Sequence, residues 1–291
     1  MRKTGAGGIM GTASQQDSAT ATLATREARA ADGTRLAYTI WRSGVPRPRI
    51  VLIHSLAMTR TFWLPVVERL GKSADILALD CRGHGRSDKP KGPYTVEQFA
   101  KDVAAVMDDA GWQETAVAGC SMGGCVTLAF AAAYPNRVDA LGLIDTTAWY
   151  GADAPAAWED RAQKAAQGGM AKLTDFQKTR WFGDAFRDAR KDVVDSAIKV
   201  FLANDIPAYV ETCRMLGACD MRVALPNFKF PARVIVGEED YAAPVAMAEN
   251  LRDNIPGATL LVIPKARHLT PLEVPDLIAG ELETLLKQVS A

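Results

Sequence analysis

Short apolar runs recur along the chain from about Thr25, and longer stretches with helical spacing of apolar positions separate several of them. "RIVLIH" (49–54), "ADILALD" (74–80), "TAVAGC" (115–120), "ALGLID" (140–145), "ARVIVGEED" (232–240) and "TLLVIP" (259–264) are such runs. Compact apolar segments of this kind are what a strand buried on both faces requires. Ahead of them, "REARAADGTRLAYTIWR" alternates on either side of Asp32-Gly33, which predicts a β-hairpin. "TVEQFAKDVAAVMDDAG" (95–111) carries an amphipathic helical pattern with Gly111 as its stop. Strands alternating with helices predict an α/β fold built on a mostly parallel sheet with right-handed crossovers.

The rhythm breaks between residues 148 and 230. Stretches such as "AAWEDRAQKAAQGGMAKL" and "RKDVVDSAIKVFLAN" read as helices, and no buried strand interrupts them. Helices inserted between two sheet strands predict a cap above the C-terminal edge of the sheet. The expected organisation is therefore one α/β core, residues 25–147 and 231–291, with a helical cap (148–230) inserted between two late strands. Residues 1–24 hold too little apolar mass to offset their ordering entropy and are expected to form a disordered tail.

Composition narrows the function classes. With 34 basic and 34 acidic residues among 291, no net field draws the chain to nucleic acid or to anionic lipid. No apolar run reaches the roughly 20 residues of a membrane-spanning helix. The start of the chain is too glycine-rich to resemble a signal-peptide core, and the 5 cysteines lack zinc-type spacing, so free thiols and a cytoplasmic location are expected.

The chemistry concentrates at "AVAGCSMGGCV" (116–126). Gly119-Cys120-Ser121-Met122-Gly123 matches the Gly-x-Ser-x-Gly nucleophile elbow, placed between a predicted strand and a predicted helix. The glycines let strand and helix approach closely, and the sharp turn lifts the Ser121 hydroxyl above the sheet. Cys120 and Cys125 are expected to fill space as small apolar thiols. A serine nucleophile needs a base, and the base an orienting carboxylate. Of the three histidines, His268 follows the last apolar strand, whereas His54 and His84 suit loop-shaping roles. Asp240 ends the preceding strand and is the expected acid. Asp145 caps an earlier strand on the same edge as its rival, with Glu238 and Glu239 as minor alternatives. The backbone N–H groups of Met122 and Leu56 are the expected oxyanion donors.

With these residues in place, the chain resembles the α/β-hydrolase superfamily from about residue 25 onward, and Ser121, Asp240, His268 follow that superfamily's chain order. Within it, "HSLAMTRTFW", "LDCRGHGRSDKPKGPYTVEQFAKDV", "GCSMGG" and the cap stretch "GGMAKL…TRWFGDAFR" resemble 3-oxoadipate enol-lactonases. The resemblance implies hydrolysis of a small lactone or ester bearing a carboxylate, without a cofactor. In that context Arg180, beside Trp181 and Phe182, is a candidate carboxylate anchor; the alternative is a surface ion pair with Asp175 or Asp184. Such lactonases carry asparagine where this chain has His54 and Asp145, which leaves the substrate open. A perhydrolase, a C–C bond hydrolase and a non-catalytic ligand-binding protein of the same fold are the alternatives. Ser121 at the elbow argues against an epoxide hydrolase or dehalogenase, which would place aspartate there.

Overall fold

The computed structural model describes residues 25–42 and 48–289. The segment 1–24, read above as a tail, lies outside them. Eight strands form one sheet: β1 (Arg26–Arg29), β2 (Arg35–Trp41), β3 (Arg49–Ile53), β4 (Asp75–Leu79), β5 (Thr115–Cys120), β6 (Val138–Ile144), β7 (Ala232–Gly237) and β8 (Thr259–Ile263). Their order is β1-β2-β4-β3-β5-β6-β7-β8. β1 and β2 form an antiparallel hairpin and β2 pairs antiparallel with β4, while the remaining pairings are parallel.

Helices cover both faces, and this is why the inner strands are apolar throughout. β5 is buried at every position, and β3 at every position after Arg49. α1 (Leu64–Leu70) follows β3, α2 (Val96–Asp109) precedes β5, and α3 (Met122–Ala133) follows it. Thr95 and Gln98 form a reciprocal capping box that starts α2, whose Phe99, Ala100, Val103 and Met107 turn inward. Between β6 and β7 run α4 (Ala154–Gly168), α5 (Thr174–Trp181), α6 (Asp184–Ala189), α7 (Lys191–Leu202) and α8 (Ile206–Ala218). α9 (Val245–Asn254) links β7 to β8, and α10 (Thr270–Glu273) and α11 (Pro275–Lys287) follow β8. α1 packs on α11, α2 on α3, and α4 on α8. No helix among the described residues is long and apolar enough to cross a membrane.

The strand order fixes where a site can form. From β3 the chain moves outward to β4, then crosses back over β3 to β5. The connections leaving β3 and β5 therefore diverge, which opens a crevice at the C-terminal ends of these strands. The register places Ile53 beside Gly119 and Cys120 beside Ile144, so the loops after β3, β5 and β6 emerge side by side.

His54 and His84 brace the loops on this edge. His54 is fully buried; its Nε2 accepts from the Cys81 N–H (3.0 Å), so its Nδ1–H donates to the Ser55 carbonyl (2.8 Å). His84 lies with its ring centroid 5.0 Å from that of His54. Burial lowers the pKa of His54 to about 4 and that of His84 to about 3, with the His54–His84 proximity adding to the second. Both rings stay neutral in the folded protein while the unfolded chain takes up protons below pH about 6.5. Stability is thus fully present above that pH and is lost as pH falls toward 4. Each histidine contributes about 1.4 kcal/mol per pH unit to that slope. In chemical denaturation between pH 6.5 and 5, His54→Asn should remove one of these two contributions. An unchanged slope in the variant would show that His54 is protonated in the native state.

Candidate active site

Ser121 stands at the junction of β5 and α3 with φ 56° and ψ −117°, a left-handed backbone that an L-residue adopts only when its surroundings enforce it. The enforcing contacts are local. Ser121 N–H donates to the Ile144 carbonyl (2.9 Å), and the Ser121 carbonyl accepts from Thr146 Oγ1 (2.7 Å) and from Gly124 N–H (2.8 Å). The two flanking glycines are needed for close approach. A Cβ on Gly119 would run into the Gly123 carbonyl, and one on Gly123 into the Ile53 carbonyl. Ser121 is 5% exposed, with its hydroxyl facing the crevice.

His268 and Asp240 arrive from the ends of neighbouring strands. His268 Nε2 lies 2.8 Å from Ser121 Oγ, and His268 Nδ1 lies 2.8 Å from Asp240 Oδ2. An ionised carboxylate can only accept, so Nδ1 carries the proton and Nε2 is free to accept from the serine hydroxyl. Asp240 Oδ1 is held by the N–H groups of Ala242 (2.7 Å) and Ala243 (2.9 Å), which fixes the carboxylate's orientation. The His268 segment is pinned from above: Leu269 N–H donates to the Trp181 carbonyl (3.1 Å), and Arg267 Nη1 to the carbonyls of Thr179 (2.8 Å) and Phe182 (3.1 Å).

The rival acid occupies a different place. Asp145, buried and at φ 48°, accepts from Thr270 N–H (2.9 Å), Thr270 Oγ1 (2.7 Å) and Gly237 N–H (3.3 Å), and so ties the end of β6 to the end of β7 and the start of α10. Burial and the neighbouring Asp240 charge push its carboxyl well above the usual range. Glu238 accepts from Lys265 N–H (2.9 Å), and Glu239 faces Arg267 (3.3 Å), so neither meets the histidine. Cys120 and Cys125 are fully buried; Cys120's thiol is held well above its ordinary value by burial and by Asp145, and Cys125 donates to the Thr147 carbonyl (3.4 Å).

Ser121, His268 and Leu56 floor a small cavity, roofed by Trp158 and Arg161 of α4 and by Gln177, Arg180 and Trp181 of α5, with Tyr150 and Ala242 at its sides. Met122 begins α3, so its N–H belongs to the first helical turn, where no intrahelical acceptor exists. Larger grooves open elsewhere, one beside α7 and one beside α6, but neither contains a histidine or a cysteine. The small cavity is the one that holds the serine–histidine pair.

Arg180 does not take the ion pairs open to it in the sequence. Asp175 pairs with Lys178 (3.8 Å), and Asp184 with Arg187 (2.5 Å) and Arg267 (3.0 Å). Arg180 instead lies over the Phe176 ring (5.4 Å) and lines the cavity. Desolvation and the nearby Arg161 charge lower its pKa to about 10, leaving it cationic at neutral pH. Trp181 is 3% exposed and packs edge-on against Phe201 (5.3 Å). The sequence reading missed Arg161, Gln177, Tyr150 and Trp158. A signal was present: Gln177, Arg180 and Trp181 are spaced i, i+3, i+4 and share one helix face, as do Trp158 and Arg161.

Comparison with known proteins agrees with this architecture. Residues 48–275 match the profile of the α/β-hydrolase fold family. The crystal structure of the enol-lactonase from Burkholderia xenovorans LB400 superposes with a TM-score of 0.86 at 35% identity, covering 90% of this chain and 100% of that one. The chain is 28% identical over 242 residues to 3-oxoadipate enol-lactonase 2 of Acinetobacter baylyi, covering 83% of this chain and 90% of that protein. It is 29% identical over 256 residues to the pimeloyl-[acyl-carrier protein] methyl ester esterase of Stenotrophomonas maltophilia, covering 84% and 94%. With the family profile spanning most of the chain over a mostly parallel eight-stranded sheet, the protein belongs to the α/β-hydrolase family.

Proposed function

We propose that the protein hydrolyses a small carboxylic ester or lactone through Ser121, His268 and Asp240, with an acyl-enzyme intermediate. The observation that carries this reading is the unbroken relay of two 2.8 Å contacts from Ser121 Oγ through His268 to Asp240 on the floor of a small cavity. As Ser121 Oγ attacks the acyl carbon, His268 Nε2 takes its proton, and Asp240 stabilises the imidazolium. The carbonyl oxygen gains the negative charge, which the N–H groups of Met122 and Leu56 receive. Collapse breaks the bond to the leaving oxygen, which takes the proton from His268. Water then attacks the acyl-serine with His268 again as base, releasing the acid and restoring Ser121. In a lactone the leaving oxygen stays attached to the acyl chain, so one product results.

Helices α4 to α8 act as a cap in this reading, closing water out of the cavity and setting what fits. Arg180 anchors a substrate carboxylate, and Trp181 supplies an apolar wall. A guanidinium partly withdrawn from water, as Arg180 is, recognises a carboxylate more strongly than a fully exposed one does. Similarity to enol-lactonases at 35% and 28% identity supports a carboxylate-bearing lactone within the wider ester class.

The test is a panel of lactones and short esters in pairs, with and without a distal carboxylate. Turnover that favours the carboxylate-bearing member is expected. Arg180→Ala should raise KM for that member by about 10- to 100-fold, the range for losing a charged hydrogen-bond partner, and leave the neutral one nearly unchanged. Equal effects on both members, or none, would make Arg180 a packing residue. Peroxide-dependent halogenation without ester turnover would replace hydrolysis with perhydrolase chemistry.

A further inference from the structure

The cavity roof holds more polar recognition than a single arginine. Gln177 is fully buried, lines the cavity, and has no protein partner for either amide atom, Nε2 or Oε1. An amide in that position loses hydrogen bonds to both its donor and its acceptor, a cost a fold retains where a ligand meets them. Arg161 is the second unexplained group. Its Nε donates to the Tyr209 hydroxyl (2.7 Å), and its guanidinium lies over the rings of Trp158 (5.1 Å) and Tyr209 (5.9 Å). These contacts hold the fork rigidly and leave its Nη groups for the cavity that Arg161 lines.

The charges around the cavity do not balance. Arg161 and Arg180 both face it, and among the described residues neither forms an ion pair with a carboxylate. Their mutual repulsion contributes to the lowered pKa of Arg180. The adjoining carboxylate is Asp240, already committed to His268 and to two backbone N–H groups. Two arginines and no carboxylate line the cavity, so a carboxylate on the substrate is favoured there. Gln177 Nε2 can give that carboxylate a further hydrogen bond. Its Oε1 then faces the same ligand as an acceptor, and only a hydroxyl or N–H can satisfy it.

We infer that Arg161, Arg180 and Gln177 form one subsite for a carboxylate with a hydrogen-bond donor close beside it, so that the preferred substrate is an ester or lactone that also carries a free carboxylate with a hydroxyl or amino group next to it. The inference rests on the proposed reading of this cavity as the substrate site. It adds Arg161 as a second arm of the carboxylate clamp and Gln177 as the reader of the neighbouring donor. Arg161 selects for charge, and Gln177 selects among acids of equal charge.

Free acids test this without any turnover. Calorimetry on the unmodified protein compares pentanoate, 2-hydroxypentanoate and 1-pentanol. Pentanoate should bind at least about tenfold more tightly than pentanol, and 2-hydroxypentanoate about two- to tenfold more tightly again, the range for one neutral hydrogen bond. Arg161→Gln should weaken both acids by about 10- to 100-fold and leave pentanol unchanged. Gln177→Met should abolish the difference between the two acids. Gln177→Glu, close to isosteric, should repel both, and thermal melts of each variant verify that it is folded. Equal affinity for the two acids in the unmodified protein would remove the donor-reading role of Gln177. Acid binding that ignores Arg161 would remove the clamp. If the acids bind as expected while no ester or lactone is turned over, the hydrolase reading fails and the subsite stands.

Discussion

Ser121→Ala should lower kcat by about 10³-fold or more on any substrate of the panel, because the members of a triad act as a unit and removal of one removes most of their joint effect. The hydroxyl lies 2.8 Å from the only histidine positioned as a base among the described residues. Cys120, next to it in the chain, cannot substitute for it. Cys120 is fully buried beneath the elbow, and its thiol is held well above the ordinary value, so it supplies almost no thiolate at neutral pH. The fold should tolerate the change, since the Ser121 side chain makes no cap hydrogen bond to α3 and the strained φ is enforced by backbone contacts that alanine keeps. Thermal melts of the two proteins should therefore nearly coincide. A fluorophosphonate should label the unmodified protein on the peptide containing Ser121 and leave the variant unlabelled. Near-normal turnover in the variant, or labelling at another residue, would move the nucleophile elsewhere.

Much of this arrangement was legible in the sequence, and the reasons differ by element. The inner strands are visible because helices bury both their faces, so "VLI", "ILAL" and "AVAGC" are apolar without alternation. Ser121 is visible because the elbow's geometry excludes side chains at Gly119 and Gly123, which leaves a pattern in the letters. The distinction between Asp145 and Asp240 was not sharp. Both end strands on one edge, and which carboxylate meets His268 depends on where the loop after β8 folds back. In the structure Thr270 takes Asp145 and so leaves Asp240 for the histidine. Arg161 and Gln177 were missed because polar residues on amphipathic helices usually face water. Only the docking of α4 and α5 over the sheet turns these two inward, and docking is a tertiary event that helix periodicity does not encode.

Asp240→Asn should lower kcat by about 10³- to 10⁴-fold, the loss expected when the base is held in the wrong tautomer. The structure supplies a specific cause. Oδ1 of residue 240 accepts two backbone N–H groups, from Ala242 and Ala243, and an asparagine must keep its oxygen there to satisfy them. Its NH₂ group then faces His268 Nδ1, which must become the acceptor. The ring proton moves to Nε2, where it points at Ser121 Oγ and prevents that nitrogen from accepting the serine proton. Asp145→Asn should reduce kcat by less than about tenfold by the same reasoning. Burial and the Asp240 charge already favour an uncharged side chain at 145, and an asparagine oxygen can still accept from Thr270. The neutral substitution also removes a group that resists ionisation in the fold. A buried carboxyl with a raised pKa stabilises the folded state least where the unfolded chain is ionised, so stability falls as pH rises above about 4. Asp145→Asn should accordingly gain more in Tm at pH 8 than at pH 4. Steady-state kinetics and melts on the two variants decide the matter together, because a reversed ranking of kcat would place the acid on β6 and require His268 to turn toward Asp145.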